Sequence, residues 1–209
     1  MKIVINIVLS VVALVLAYFL WTSIDDPIQY EKAKKHRYAV AIQKLKDIRT
    51  AELAYLVVNG KFTGDFDTLI SFVKNDSIPM VKAIGSVPDS LSEKEALKMG
   101  IISRDTSYVS TLDSLFVPGY PIDSLRYVPF TNKEEFALGA TILSVGSKVG
   151  ESTLKIPVFE AKVPNLILLN GLNRQQRIND DDEAISLGKY KGLKVGSLEQ
   201  NINNAGNWE

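Results

Sequence analysis

IVINIVLSVVALVLAYFLW, residues 3–21, contains no charged residue, and only Asn6 and Ser10 are clearly polar. Nineteen helical residues at about 1.5 Å each extend roughly 28 Å, which is close to the thickness of a bilayer's hydrocarbon layer. Tyr18 and Trp21 lie at the far end, where amphipathic rings favour the membrane interface. The sequence therefore predicts a transmembrane anchor over residues 1–24.

A secretory signal peptide is the alternative interpretation of this segment, because Lys2 followed by an apolar run is also how such a peptide begins. Signal peptides end in small residues at their cleavage site, whereas residues 17–21, AYFLW, are bulky. The apolar stretch is also long for a signal peptide. We therefore expect an anchor that is not cleaved.

The charges around the anchor leave its orientation open. Residues 27–49 carry seven basic side chains against Glu31 and Asp47, and the positive-inside rule would keep that side in the cytoplasm. Only Lys2 and the α-amine precede the span, and Asp25 and Asp26 follow it directly, an arrangement common in uncleaved export signals. If this part is exported, anionic head groups of the outer leaflet of the inner membrane are potential partners of the basic run.

Residues 25–60 predict a long amphipathic helix. Asp26 and Pro27 resemble an N-cap and a first helical residue, so a new or continued helix begins there. Asn59-Gly60 predicts its end, because the turn needs a residue that tolerates positive φ. The apolar stripe consists of Ala41, Leu45, Ile48, Leu53, Tyr55 and Leu56. We interpret the basic face as a solvated surface, with lipid or partner binding as the alternative.

Residues 61–124 predict short helices and variable loops. Asp65 or Asp67 caps a first short helix, whose apolar positions are Phe66, Leu69, Ile70 and Val73. A second starts at Ser92, with Glu95 completing a capping box, Leu91 as an apolar staple and Gly100 as the stop. Residues 101–124 are rich in turn-forming residues and predict loops.

Residues 125–209 predict an antiparallel β-meander with an ordered C-terminal wrap. Alternating apolar residues indicate strands at 125–127, 136–142 and 154–158, with a loop at 146–150 and a fourth short strand at 166–169. The alternation of apolar and polar residues breaks at Val158 and Phe159, where two apolar residues are adjacent, and this predicts a β-bulge. Pro157 has no amide hydrogen, so it favours a position at the edge of a sheet. Residues 172–209 are polar, but they contain four apolar anchors: Tyr190, Leu193, Val195 and Trp208.

Composition excludes many functions for the 209-residue chain. It has 24 basic and 24 acidic side chains, so it lacks the positive excess that nucleic-acid binding needs. With no cysteine and only His36, it cannot build a thiolate zinc site, an iron–sulfur cluster or a histidine-pair metal site. His36 stands between Lys35 and Arg37, so we expect it to be exposed. The acidic run at 179–183 lacks the spacing of a calcium loop, and hydration is its simplest interpretation.

Two local motifs resemble one protein family. IRTAELAY at 48–55 is followed by NGKFT at 59–63, and the chain closes with NAGNWE at 204–209. This arrangement is similar to the helix exit and closing segment of type IV pilin-like proteins, in particular the major pseudopilins of type II secretion. The resemblance covers about 50 residues at the two ends and implies an α+β, pilin-like fold in which the long helix packs on the meander.

The resemblance also implies features that this chain lacks in part. Prepilin peptidase cleaves a glycine-containing site before the apolar run, and a glutamate near its start helps subunit addition. Here the run follows Met1-Lys2, and Ile5-Asn6-Ile7 offers no carboxylate, so we expect neither that processing nor a standard pilus. The family's closing loop binds calcium, and the corresponding candidate ligands are Glu199, Asn201, Asn203 and Asn204. Three of these four are neutral, and calcium prefers charged oxygens.

The leading expectation is a non-enzymatic structural component of a bacterial envelope assembly, a pseudopilin-like subunit of a secretion or pilus-like machine. It would have one span in the inner membrane and residues 25–209 in the periplasm. Its partners would be inner-membrane lipid and either further copies or other single-span envelope proteins, without nucleic acid or an evident small-molecule substrate. One alternative is a monomeric accessory protein of an assembly platform that pairs through its long helix, and another is an enzyme with an unfamiliar carboxylate site.

Overall fold

The computed structural model describes residues 2–84, 92–99, 103–145 and 154–209, and it has an α+β fold built on one long helix. Helix α1, Lys2–Asn59, runs without interruption through Pro27. Of the two alternatives at Asp26, a new or a continued helix, the structure has the second: the apolar segment continues into the amphipathic helix. Because the two parts share one helix, the apolar segment and the folded domain are joined without a linker.

Helix α1 ends where the sequence predicted. Gly60 has a φ of +70°, and its amide donates to the carbonyl of Leu56 at 2.8 Å. The Asn59 side-chain amide also donates to the carbonyl of Tyr55, at 3.2 Å. The turn uses the left-handed backbone conformation that glycine adopts without steric cost, and these bonds satisfy carbonyls of the last helical turn.

Two predicted short helices are present with their caps. Helix α2, Phe66–Asn75, begins after Asp65, whose carboxylate accepts from the Thr68 amide at 2.8 Å. Helix α3, Glu93–Lys98, follows Ser92, whose amide and hydroxyl donate to the Glu95 carboxylate at 3.0 and 2.7 Å. The predicted staple at Leu91, the stop at Gly100 and the loop at 146–150 lie outside the described residues.

The predicted loop at 101–124 is wrong in part, because it contains regular elements. Strand β1, Ser77–Ile84, pairs antiparallel with β2, Ser103–Ser110, so that Ser77 lies opposite Ser110. Helix α4, Thr111–Leu115, follows, and then a 3₁₀ turn, Ile122–Ser124. β2 reads SRDTSYVS, and its side chains are mostly exposed, so the chain had no apolar alternation to reveal the strand.

A second antiparallel sheet has the order β3-β4-β5, with β3 at Ala137–Val145, β4 at Leu154–Pro164 and β5 at Gly192–Gly196. The predicted strand at 125–127 is absent, because the 3₁₀ turn leads directly into Leu125 and only Tyr127 makes a single bridge, to Glu135. The predicted strand at 166–169 is wrong too. Helix α5, Asn165–Leu168, begins directly after Pro164 and buries Leu168 and Leu169 side by side.

Helix α6, Arg174–Ser186, lies in the segment that we predicted as a polar wrap. Asn173 caps it by accepting from the amides of Gln175 and Gln176 at 3.0 and 3.3 Å. None of its side chains is fully buried, which is why apolar periodicity did not reveal the helix. The chain therefore leaves the sheet after β4, forms α5 and α6, and returns as β5.

The predicted bulge at Val158 and Phe159 is wrong, since β4 keeps a continuous register with β3 from Ala137 opposite Lys162 to Val145 opposite Leu154. The apolar phase changes because four consecutive residues, 158–161, are buried, so both faces of β4 are covered there. Pro157 pairs only with β3 and lies beyond the part of β4 that β5 covers. One side of the strand is thus open at Pro157, as expected for proline.

The core forms between one face of α1 and the elements that surround it. Phe62 packs on Phe159 with ring centroids 4.9 Å apart, and Tyr55 packs on Phe72 at 5.1 Å. The fully buried α1 residues include Ala41, Leu45, Ile48 and Ala51. The distal half of α1 is therefore the central element of the domain's core.

The C-terminal segment docks on the edge of β5. Asn207 accepts from the amide of Lys194 at 3.0 Å and donates to the carbonyl of Gly192 at 2.9 Å. Gly206 pairs with Val195, and the Trp208 ring lies so close to Gly206 that an added Cβ would meet it at 2.4 Å. Trp208 is partly buried against the core. The wrap at the end of the chain is thus ordered, as the sequence predicted.

Candidate functional site

The proximal part of α1 is an exposed apolar surface. Helix α1 is long and apolar enough to cross a membrane, and its large apolar side chains from Ile3 to Ile24 are between 46% and 76% exposed. Tyr18 and Trp21 are 66% and 73% exposed at the end of this surface. Since monomeric soluble proteins rarely expose an apolar surface of this extent, lipid is the environment that it fits.

Lys34 and Tyr30 hold α6 beside α1. The Tyr30 hydroxyl donates to Asp180 at 2.5 Å, and the Lys34 ammonium lies 2.9 Å from the same carboxylate. Burial and the hydrogen bond to Asp180 raise the pKa of Tyr30. Burial lowers the pKa of Lys34, but Asp180 and Glu31 outweigh it, so that pKa is raised overall. The acidic run at 179–183, which we interpreted as hydrated, thus contains a residue that attaches α6 to α1.

Arg37 and Tyr38 hold the α5 region one turn further along α1. Arg37 donates to the carbonyls of Leu168 and Asn170 at 2.9 and 2.8 Å. The Tyr38 hydroxyl lies 2.5 Å from the Asn165 side-chain oxygen, and Asn165 donates to Asp181 at 2.8 Å. The carbonyls at the C-terminal end of a helix have no donor within the helix. The Arg37 guanidinium supplies the missing donors at the end of α5.

Lys44 and Asp47 make the next contact. The Lys44 ammonium donates to the Ser124 hydroxyl at 2.8 Å, and Asp47 accepts from the Tyr120 hydroxyl at 2.6 Å. Burial lowers the pKa of Lys44, and burial together with the bond to Asp47 raises the pKa of Tyr120. These contacts fix the 3₁₀ turn against the middle of the helix.

Arg49 completes the series by binding the end of the chain. Its guanidinium lies 2.8 Å from the Glu209 carboxylate and donates to the Asn204 carbonyl at 3.2 Å. Lys34, Arg37, Lys44 and Arg49, four of the seven basic residues in 27–49, therefore bind the domain. The interpretation of the basic face as a solvated surface is wrong for these four, because they lie on the side of α1 that meets the domain.

The candidate calcium ligands lie in a turn that makes its own hydrogen bonds. Asn201 accepts from the amide of Asn203 at 3.1 Å, and the Glu199 amide donates to Ser197. Asn203 and Asn204 have φ of +53° and +57°. The cation that contacts this turn is the Arg49 guanidinium, at the Asn204 carbonyl. Within the described part of the chain, no group of three or more His, Asp or Glu side chains could hold a metal ion.

Glu52 is a buried carboxylate that the sequence reading did not single out. It is fully buried, and its Oε2 accepts from the Thr63 amide at 3.0 Å, while among the described residues no donor reaches Oε1. Burial raises its pKa to about 8, although the Thr63 bond lowers it. Its position four residues after Ile48, on the apolar stripe, is the signal that could have identified it.

The opposite side of α1 is exposed over most of its length. Exposed residues recur there at intervals of three and four, and we call this surface the outer strip: Lys32, Lys35, Ala39, Gln43, Lys46, Thr50, Leu53 and Val57. At its far end, Leu53 and Val57 border a shallow apolar groove with Ile78, Pro79 and Leu115. His36 is exposed beside the strip, as predicted, and lies against the Phe130 ring at 5.5 Å.

Comparison with protein-family models, curated proteins and solved structures found no match for this chain. The pilin-like resemblance therefore rests on the residues quoted above. The geometry provides an apolar helix that fits a membrane, a domain attached to that helix by buried and charged contacts, and an exposed strip on the outer side of the helix.

Proposed function

We propose that this chain is a non-enzymatic structural subunit of a bacterial envelope assembly, similar in design to a pseudopilin. Residues 3–24 would anchor it in the inner membrane, and residues 25–209 would lie in the periplasm. The observation that carries the proposal is the continuous helix α1, whose proximal part is an exposed apolar surface and whose distal part is the core of the domain.

This arrangement suits a structural role because one continuous helix, α1, connects the membrane anchor directly to the domain. Any displacement of the anchor moves the domain, since there is no linker between them and contacts from Lys34 to Arg49 hold the domain along the helix. An enzyme or a binding protein on a flexible tether would not need this coupling. A structural subunit that is moved or packed by its membrane segment needs this coupling between anchor and domain.

The residues that carry the family resemblance support the same proposal. In the helix-exit motif, Tyr55 packs on Phe72 and Phe62 packs on Phe159. In the closing segment, Asn207 bonds to β5 and Trp208 covers Gly206. Both motifs therefore occupy structural positions at which the chain is attached to the domain, which is the role that the resemblance implies for them.

Membrane fractionation followed by mass measurement in mild detergent tests the proposal. We expect the chain to stay in the membrane pellet after alkaline carbonate extraction and to elute as a species larger than one copy. A chain that carbonate releases would contradict the anchor. A monomer in detergent at concentrations where envelope subunits assemble would contradict the structural-subunit role.

A monomeric accessory protein of an assembly platform is the second candidate, and the outer strip favours it. A strip with three- and four-residue spacing is the geometry by which one helix packs along another. If the helix of a different single-span protein occupied it, the purified species would contain both chains in equal amounts. Identification of the chains in the detergent-purified species therefore separates the two candidates.

A further inference from the structure

The turns Asn59-Gly60 and Asn170-Gly171 have the same sequence but different environments. In an Asn-Gly sequence the glycine amide nitrogen can attack the Cγ atom of the asparagine side chain, because glycine has no Cβ to hinder the approach. The reaction needs an amide nitrogen that is not held in a hydrogen bond and an asparagine side chain that is free to turn toward it. The contacts of the two turns therefore decide which of them is a site of spontaneous modification.

The turn at Asn59-Gly60 is protected from this reaction. The Gly60 amide donates to the Leu56 carbonyl at 2.8 Å, and the Asn59 side-chain amide donates to the Tyr55 carbonyl at 3.2 Å. Both reacting groups are therefore held by the last turn of α1. Attack would require both bonds to break at the end of a helix that forms the core of the domain.

The turn at Asn170-Gly171 is open to the same reaction. Both residues are exposed between α5 and α6, and no neighbouring atom lies within 4 Å of the position that a Cβ atom would take on Gly171. Within the described ranges, neither the Gly171 amide nor the Asn170 side chain makes a hydrogen bond. The attacking nitrogen and the group that it attacks are therefore both unengaged.

Arg37 polarises the peptide group that would react. Its guanidinium donates to the main-chain carbonyl of Asn170 at 2.8 Å, and this carbonyl shares its peptide group with the Gly171 nitrogen. A cation at the carbonyl oxygen withdraws electron density from the amide, so the nitrogen loses its proton more readily. The deprotonated nitrogen is the form that attacks. At the other turn, no cationic side chain of the described residues bonds to the Asn59 carbonyl.

We propose that Asn170 is a site of spontaneous conversion to isoaspartate and that Arg37 promotes the conversion. The Gly171 nitrogen gives its proton to solvent and bonds to Cγ of Asn170, and the side-chain nitrogen leaves as ammonia. Water then opens the resulting succinimide ring. Attack of water at the main-chain carbonyl carbon breaks its bond to the Gly171 nitrogen and gives isoaspartate, whereas attack at Cγ gives aspartate. The sum of the steps is uptake of one water and release of one ammonia, without an oxidant or a reductant.

Arg37 also favours one direction of ring opening. It bonds to the main-chain carbonyl oxygen, on which negative charge develops when water attacks that carbon. The product has a free carboxylate in place of this neutral carbonyl, so the contact with Arg37 becomes an ion pair. The conversion therefore places a negative charge where α1 holds the end of α5. This inference goes beyond the proposed function and does not depend on the membrane anchor.

Peptide mapping of the full-length protein, incubated folded at neutral pH and then digested with trypsin, tests the proposal. Trypsin cuts after lysine and arginine, so peptide 50–61 contains Asn59 and peptide 163–174 contains Asn170. Fragmentation assigns the modified residue, and chromatography separates isoaspartate from aspartate. We expect conversion at Asn170 to be about fivefold faster than at Asn59 or more, with isoaspartate as the main product. In the denatured chain the two sites should react at similar rates.

Variants of Arg37 test its role, with the reaction at Asn59 as the internal control. Arg37→Gln keeps a donor at the carbonyl but removes the charge. We expect about fivefold slower conversion of Asn170, a smaller share of isoaspartate, and no change at Asn59. Arg37→Lys keeps the cation and should retain most of the rate. Thermal unfolding of the variants shows whether the fold is intact.

Three results would overturn the proposal in whole or in part. Equal rates at Asn59 and Asn170 in the folded protein would show that the fold does not select the site. Unchanged or faster conversion in Arg37→Gln would contradict promotion by Arg37, since a turn that is merely flexible should react faster once its contact is weakened. An unchanged ratio of isoaspartate to aspartate in that variant would contradict the direction of ring opening.

Discussion

The Glu52 carboxylate accepts from the Thr63 amide at 3.0 Å and connects the last turns of α1 to the loop that follows them. The side chain is fully buried, and within the described ranges no charged group compensates its ionised form. An unpaired charge in such a site is costly, so the neutral acid is the stable form at neutral pH. Glu52 therefore makes the stability of the domain fall as pH rises toward the pKa of its carboxyl group.

We predict that the wild-type domain loses stability as pH rises from about 5 to about 8. The pKa of Glu52 is about 8 in the folded protein against 4.5 as its ordinary value, so the folded state binds more protons in this window. The contribution of protonated Glu52 to stability is therefore full below pH 4.5 and falls as pH increases, by roughly 3 kcal/mol up to pH 7. Denaturant unfolding over this pH range measures the change.

Glu52→Gln is the control for this prediction, because glutamine can still accept from Thr63 but does not titrate. The free energy of unfolding of the variant should vary less with pH, so the difference between the two proteins should grow toward pH 8. Parallel pH profiles for the two proteins would show that Glu52 is not protonated in the fold.

Removal of residues 205–209 should destabilise the domain measurably. The deletion removes the Arg49–Glu209 ion pair, the Asn207 bonds to β5 and the partly buried Trp208 ring, whose burial stabilises by about 1–3 kcal/mol. In the full chain, Trp21→Phe leaves Trp208 as the only tryptophan. We expect its emission to be blue-shifted and to move red on unfolding. A water-exposed spectrum in the native state would contradict docking of the C-terminal segment.

Gly60→Val should lower stability by about 1–3 kcal/mol, because a β-branched residue would adopt a φ of +70° there. No neighbouring atom lies within 4 Å of the position that a Cβ atom would take. The loss of stability would therefore come from the strained backbone conformation and not from a clash with other residues. Gly60→Asn is the matched variant, since asparagine tolerates the left-handed conformation, and it should cost clearly less. Equal thermal midpoints for the two variants would contradict the stop at Gly60.

Calcium should change the stability of this chain little. Asn201 is engaged with the Asn203 amide, and Arg49 occupies the Asn204 carbonyl, so the turn with Glu199 offers few free oxygens. We expect the thermal midpoint to move by less than about 1 °C between millimolar calcium and excess chelator, well below the shift that a 1 kcal/mol ligand effect would cause. A clear calcium-dependent rise would place a metal at this turn.

The sequence predicted those elements whose signal is local. The caps of α2 and α3 and the turn that ends α1 are formed by residues only a few positions apart, so residue type alone predicted them. These residues are Asp65 for α2, Ser92 with Glu95 for α3, and Asn59-Gly60 for α1. The apolar stripe of α1 and the first half of strand β4 also follow from periodicity, whereas the continuation of β4 past Val158 does not. These features required no knowledge of distant contacts.

The elements that sequence reasoning missed depend on contacts between distant residues. Helix α6 buries no side chain fully and is held by Asp180 against Tyr30, 150 residues earlier. Strand β2 is polar and is defined by its pairing with β1. The role of the basic residues was missed for the same reason, because only the fold brings Arg37 to the carbonyls of Leu168 and Asn170.

An alkaline phosphatase fusion after Glu209 tests the central claim, that α1 anchors a domain which lies in the periplasm. The phosphatase is active only after export, because its disulfides form outside the cytoplasm. We predict an active fusion, together with a dark fusion when a green fluorescent protein that folds only in the cytoplasm is attached at the same position. An inactive phosphatase at normal expression with a fluorescent counterpart would contradict the account and show that the basic run at 27–49 keeps this side in the cytoplasm.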